Sequence, residues 1–219
     1  MNIIKNFIYL LLATVCSLNS TPQGIDVSHR QGNILWEEVK KDNKNIKFVY
    51  VKVTEGATFH DPKYDINIRR ASYAKLEVGV YHFFRMTSTP EDQFKNFKSH
   101  IACYMDYITL LPVVDVETFD GKTSAQVKSA VETFVKLIYK EYGIFPIIYG
   151  PDIAPKRMLS NYVNENCLFF LGQPDLSSPK QKYSIWQYSD KGSVRGIKTQ
   201  VDLNMLHRTT KLEDILWNK

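Results

Sequence analysis

Short runs of β-branched and aromatic residues recur along the chain, and between them lie polar stretches with apolar residues three and four positions apart. The first pattern reads as buried strand and the second as amphipathic helix. Strands are predicted at Gly24–Val27, Lys47–Val53, Val78–Phe84, Pro112–Glu117, Pro146–Tyr149, Cys167–Phe170, Tyr183–Gln187 and Val201–Leu203. The clearest helix runs from Ser124 to Glu141, where Val127, Ala130, Val131, Phe134, Leu137 and Ile138 share one face. Thr123 and Ser124 are capping candidates at its start, and Gly143 lies just beyond its end. Further helices are expected at Leu35–Asp42, Lys63–Leu76, Pro90–Ile101 and Pro151–Val163. Eight strand signals alternating with helices predict an α/β fold: an irregular (β/α) TIM-like barrel of parallel strands joined by crossover helices.

Residues 1–20 do not belong to that pattern. Lys5 is followed by the apolar run Phe7 to Val15, the charged start and short hydrophobic core of a secretory signal peptide. The expectation is therefore a cleaved leader at 1–20 and one domain at 21–219, secreted or periplasmic, without stable membrane insertion after cleavage. Cys16 also permits a lipid anchor, although Val15 is not the small residue such a site prefers. Without the leader, Cys103 and Cys167 remain, able either to pair in an oxidising compartment or to stay as separate thiols. The chain has 219 residues, 44% hydrophobic content and a formal charge of +5. That suits one sizeable core and excludes a disordered chain, a coiled coil and a multi-span membrane protein. Lys5 is the leader's one charge, so the remainder carries about +4, too mild for a nucleic-acid footprint. No CxxC, HExxH or Cys/His cluster appears, so a metal site has little support.

In a (β/α) barrel, chemistry gathers where strands end and their following loops begin. The polar residues there are Asp26, Glu55, His82, Arg85, Asp115, Glu117, Tyr149, Trp186, Gln187 and Asp202. The most informative segment is Leu110 to Thr118, a hydrophobic strand ending in Asp115 and Glu117. Side chains at i and i+2 on a strand share a face, with Cα atoms about 6.6 Å apart. Two carboxylates so placed repel and are partly desolvated, so one holds its proton to higher pH, as a general acid near neutrality requires. Taken alone, the same pair is also compatible with a solvated strand end or a metal-binding pair. His82 follows Tyr81 on a strand, so the two point to opposite faces, and a buried, hydrogen-bonded imidazole is the simplest reading.

Gly24 to Gly32 (GIDVSHRQG) resembles the opening motif of glycoside hydrolase family 25, the Chalaropsis-type lysozymes. So do Lys52-Val53-Thr54-Glu55-Gly56, Asp61-Pro62 with Asn67 and Ala71, Gly79 to Phe84, and Leu111 to Glu117. The series continues in the family's order with Ile147-Ile148-Tyr149, Ile185 to Tyr188 and Val201 to Asn204. The resemblance implies a compact barrel whose groove binds peptidoglycan glycan strands and hydrolyses the β-1,4 bond between N-acetylmuramic acid and N-acetylglucosamine, without a cofactor. It implies Glu117 as general acid/base, Asp115 as its carboxylate partner, and Asp26 and Asp202 as further acidic residues around the cleavage point. Protonated Glu117 would donate to the glycosidic oxygen while Asp115 orients the substrate's N-acetyl group as an internal nucleophile; direct water attack with inversion is the alternative.

Tyr81, Tyr149, Trp186 and Tyr188 offer faces suited to pyranose rings, and Gln187 a polar contact, although core packing suits each aromatic equally. The chain departs from the family where Leu168 to Gln173 stands in place of a Trp-containing strand and where Met205-Leu206-His207 follows the last motif. A monomer is expected, with no nucleic-acid partner. The competing readings are a non-catalytic glycan-binding barrel and a metal-dependent sugar deacetylase; the intact carboxylate pair argues against the first, and the lack of paired histidines against the second.

Overall fold

A computed structural model describes residues 23–151, 159–174 and 179–218. In chain order the elements are β1 (Gln23–Val27), α1 (Trp36–Asp42), β2 (Ile46–Glu55), β3 (Phe59–His60), α2 (Tyr64–Tyr73), β4 (Glu77–Phe83) and α3 (Pro90–Ile101). They continue with β5 (Val113–Asp115), α4 (Ser124–Tyr142), β6 (Ile147–Gly150), α5 (Asn161–Asn166), β7 (Leu168–Gly172), β8 (Ile185–Gly192) and β9 (Val201–Leu206). The leader at 1–20, with Cys16, lies outside the described residues, as does most of the helix predicted at 151–163, of which α5 is the described neighbour.

The sheet runs β1-β9-β8-β7-β6-β5-β4-β2, and pairing of β1 with β2 closes it into a barrel; β3 is a short hairpin partner appended to β2. The barrel is mixed, and this corrects the expectation of parallel strands throughout. Neighbours from β1 through β2 and on to β8 are parallel, but β9 is antiparallel to both β8 and β1. The link between β8 and β9 is too short for a crossover helix, so the chain simply turns back, and β8 extends to Gly192 instead of stopping at Gln187. The other shift that matters is at β5, which ends at Asp115, so Glu117 stands just past the strand. The Val116 amide still donates to the Tyr149 carbonyl at 2.9 Å, carrying the extended geometry one residue further.

Two apolar layers separate by side-chain parity. Phe48, Tyr50, Val113, Ile147, Phe170, Ile185 and Leu206 fill the barrel interior, while Val49, Val51, Val78, Val80, Val114 and Ile148 face the helices. Aromatic rings fit inside because glycines stand opposite them. A Cβ on Gly24 would lie 2.2 Å from the Phe48 ring, and one on Gly79 would lie 2.1 Å from the Tyr50 ring. Outside, α4 buries Val127, Val131, Phe134, Val135 and Ile138. Thr123 and Gln126 form a capping box at its start, and Gly143 ends it in the left-handed conformation at φ 70°.

His82 lies in this outer layer, fully buried, with its ring stacked on Phe134 at 5.0 Å. Gln93 donates from its amide nitrogen to the Arg85 carbonyl, so its oxygen is the atom that accepts from His82 Nε2 at 3.1 Å. The Thr54 hydroxyl therefore donates to Nδ1 at 2.8 Å. Burial pushes this imidazole down to about 4 and keeps it neutral, the structural role its parity indicated. Cys103 is exposed and Cys167 buried, and both are free thiols. Among the described residues, no helix is long and apolar enough to cross a membrane.

Candidate active site

The parallel strands bring their C-terminal ends to one mouth of the barrel, where a cavity of about 620 Å³ opens, a volume typical of small-molecule sites. Asp26, Glu55, Tyr81, Arg85, Asp115, Glu117, Tyr149, Gln187 and Asp202 line it, so nine residues singled out from the sequence converge on one space. Trp186 and Tyr188 do not line it. They occupy the alternate positions of β8 to Gln187; Trp186 donates from its indole nitrogen to the Gln173 carbonyl at 3.0 Å and has Tyr183 and Tyr188 as ring neighbours.

Asp26 on β1 and Asp202 on β9 are direct partners across the antiparallel ladder, which forces the two carboxyls together. Asp26 Oδ2 accepts from Asn204 Nδ2 at 2.9 Å and from Gln187 Nε2 at 3.2 Å. Burial raises the Asp26 carboxyl, partly offset by hydrogen bonds from Asn204, Gln187 and Asp202. For Asp202, burial and then the neighbouring Asp26 charge push the carboxyl up to about 8. The pair therefore titrates together, and because the contact between them lowers Asp26 and raises Asp202, Asp202 is the member that holds its proton to higher pH.

Asp115 ends β5 only 6% exposed, and its Oδ1 has no hydrogen-bond partner among the described residues. Burial, then the charges of Glu117 and Asp26, hold its carboxyl well above the usual range. Glu117 opens to the cavity, yet the walls desolvate it enough to raise it, against the hydrogen bond from Tyr149 and the charge of Lys52. An unpartnered buried acceptor beside a raised, accessible carboxyl can bind a substrate amide N–H and deliver a proton next to it.

A network of ion pairs forms the wall between β1 and β5, on β2 and at the end of β4. Lys52 meets Glu55 at 2.7 Å, Arg85 meets the same carboxylate at 2.9 Å, and Arg85 grips Asp120 with two nitrogens at 2.8 and 3.0 Å. Asp120 adopts a left-handed φ of 46°, fixed by the Arg85 fork and by the Met86 amide at 2.8 Å, and the Arg85 guanidinium holds its carboxyl down to about 2. Arg30, which also lines the cavity, has no carboxylate partner among the described residues. Among those residues, no group of three or more His, Cys, Asp or Glu side chains is arranged to hold a metal ion.

The profile of Glycosyl hydrolases family 25 matches residues 25–197, most of the chain and all but one of the barrel strands. The chain belongs to glycosyl hydrolase family 25. It is 29% identical over 198 residues to the protein YegX of Escherichia coli strain K12, covering 87% of this chain and 71% of that one. It is 29% identical over 184 residues to an autolytic lysozyme of Clostridium acetobutylicum, covering 83% of this chain and 55% of that one. The structure of a bacterial lysozyme from Streptomyces coelicolor superposes with a TM-score of 0.76 at 26% identity, covering 89% of this chain and 95% of the other.

Strand-end reading overlooked Lys52, which lines the cavity of this family 25 chain, and two residues that hold lining side chains in place: Asp120, through Arg85, and the buried Asn204, through Asp26. Asn204 was detectable, since it lies two residues from Asp202 on one strand and therefore on the same face. Asp120 was not, because its role depends on a loop conformation.

Proposed function

We propose that this glycoside hydrolase is a lysozyme that cleaves the β-1,4 bond between N-acetylmuramic acid and N-acetylglucosamine in peptidoglycan. The observation that carries this reading is the Asp115–Glu117 pair: a buried carboxyl with an unpartnered oxygen beside an accessible carboxyl whose proton is retained to higher pH. Glu117 donates its proton to the glycosidic oxygen. Asp115 Oδ1 accepts the N–H of the substrate's acetamido group and turns the acetyl oxygen toward the anomeric carbon, so the C–O bond breaks as an internal oxazolinium forms. Water then opens that ring, returning a proton to Glu117. Asp26 and Asp202, titrating together, supply negative potential facing the developing positive charge.

Tyr81 and Tyr149 line the cavity with rings suited to sugar faces, and Arg30 offers an unpaired cation to the carboxylates of wall peptides. Residues 21–219 make up the catalytic unit, which acts as a monomer outside the cytoplasm after the leader at 1–20 is removed. The assay is digestion of purified peptidoglycan, with borohydride reduction of the fragments before hydrolysis. Reduced muramic acid at the new ends is expected; reduced glucosamine there, or binding of the polymer with no fragments released, rejects the lysozyme reading. The first anomer released should be β, and an initial α product would replace acetamido attack by direct water attack.

A further inference from the structure

Glu117 stands past the end of β5, and the sheet holds it from one side only, through the Val116 amide on the Tyr149 carbonyl at 2.9 Å. On the other side the chain folds back at once. The Lys122 amide donates to the Phe119 carbonyl at 2.8 Å, and the two residues between them, Asp120 and Gly121, have φ values of 46° and 76°. Asp-Gly with both residues left-handed is the pattern of a type I′ turn, so the local sequence accounts for the reversal. It does not account for what the Asp120 carboxylate does. That group reaches across to the segment after β4, where it accepts from Arg85 Nε at 3.0 Å, Arg85 Nη2 at 2.8 Å and the Met86 amide at 2.8 Å. It also accepts from the Thr118 hydroxyl at 3.2 Å, and the Thr118 oxygen takes the Asp120 amide at 3.3 Å, which ties in the residue next to Glu117.

Arg85 is itself fixed from behind. Its amide donates to Gln93 Oε1 at 2.9 Å and its carbonyl accepts from Gln93 Nε2 at 2.6 Å, while the same buried glutamine holds His82. Its third nitrogen, Nη1, meets Glu55 at 2.9 Å. Arg85 lines the cavity, yet each of its three guanidinium nitrogens already meets a carboxylate of the protein, so its task there is to hold and not to bind. We propose that Arg85 and Asp120 are positioning residues that staple the turn after Glu117 to the end of β4 and so hold the Glu117 carboxyl where the glycosidic oxygen arrives. This rests on Glu117 being the proton donor. A bidentate charged pair fixes angle as well as distance, and the Asp120 side chain is only 10% exposed, so water competes little for the fork. Without it Glu117 keeps its tether to the strand and loses the one beyond it, and proton transfer tolerates little departure from hydrogen-bond reach.

The test is Asp120→Asn in the full chain, since asparagine accepts the left-handed φ and keeps the side-chain shape but gives up the charged fork. On peptidoglycan kcat should fall about ten- to a hundredfold with KM near its wild-type value. On an aryl glycoside of an N-acetylated oligosaccharide, whose phenolate leaves without a proton, the rate should stay near wild type. Added to Glu117→Ala, the same substitution should cost nothing further on peptidoglycan, because its effect runs through a group already removed. Equal losses on the two substrates, an unchanged kcat or an additive loss in the double variant overturns the proposal. So does a loss that disappears on lowering the pH, which would assign the effect to the charge of Asp120 and not to its grip. Should Asp120→Asn fail to fold, Asp120→Gly accepts the same φ without strain and is read by the same measurements. Glu117→Ala alone separates the two levels: if it loses equally on both substrates, the proton-donor reading falls and the proposal with it. If it shows the split and Asp120→Asn does not, the proposal falls alone.

Discussion

Replacing Asp202 with Asn should remove a pH-dependent weakness of the folded protein. In the wild type Asp202 keeps its proton up to about 8, because burial and the facing Asp26 both disfavour its charge. In the unfolded chain an aspartate loses that proton near 4. Between those limits the folded state binds more protons than the unfolded one, so stability falls as pH rises through the window and levels off above it. Four units correspond to at most about 5 kcal/mol. Asp202 faces an open, hydrated cavity that screens its charge, and Asp26 relaxes with it, which reduces the expectation to about 2 kcal/mol. The asparagine of the variant would still donate to Asp26 but cannot ionise, so the difference between the two proteins isolates this one group from the raised Asp115 and Glu117. Urea unfolding at pH 5, 7 and 9 measures it. The wild type should lose about 2 kcal/mol relative to Asp202→Asn between pH 5 and 9. Parallel curves, within about 0.5 kcal/mol, would refute the raised Asp202 carboxyl.

Gln93→Ala should cost about 3 kcal/mol, because the one amide bonds His82, the Arg85 amide and carbonyl, and the Ser88 carbonyl; thermal melting should fall by about 6–12 °C. Gly79→Ala drives a methyl to 2.1 Å from the Tyr50 ring and should cost about 1–3 kcal/mol in urea unfolding, with the rim residues unaltered. Thr123→Ala removes the cap of α4, seen as a loss of about 1 kcal/mol with no change in the pH profile of activity.

How much of this was legible in the sequence depends on which interactions decided each feature. The α4 helix could be read nearly to the residue, since its apolar face, its Thr123 cap and its Gly143 terminator are all local signals. Nine site residues could be placed because strand parity and strand ends put them at the mouth of a barrel. The same parity argument explains why Trp186 and Tyr188 fall elsewhere: Gln187 faces inward, so both its neighbours cannot. The direction of β9 was not legible, because an isolated run such as Val201–Leu203 carries no record of which way its partners run. That reversal nonetheless sets Asp26 directly across the ladder from Asp202. Glu55 and Arg85 could be placed at strand ends, but their joining with Lys52 and Asp120 was hidden, since it depends on side-chain geometry across β2, the end of β4 and a later loop.

The most direct test of the role given to Glu117 compares two substrates in one variant. Glu117→Ala should lose about 10²–10⁴-fold in rate on peptidoglycan, whose leaving sugar needs a proton. On an aryl glycoside of an N-acetylated oligosaccharide, with a leaving group that departs as a stable phenolate, the same variant should retain most of the wild-type rate. Equal losses on both substrates, or an unchanged rate on peptidoglycan, would contradict Glu117 as the proton donor.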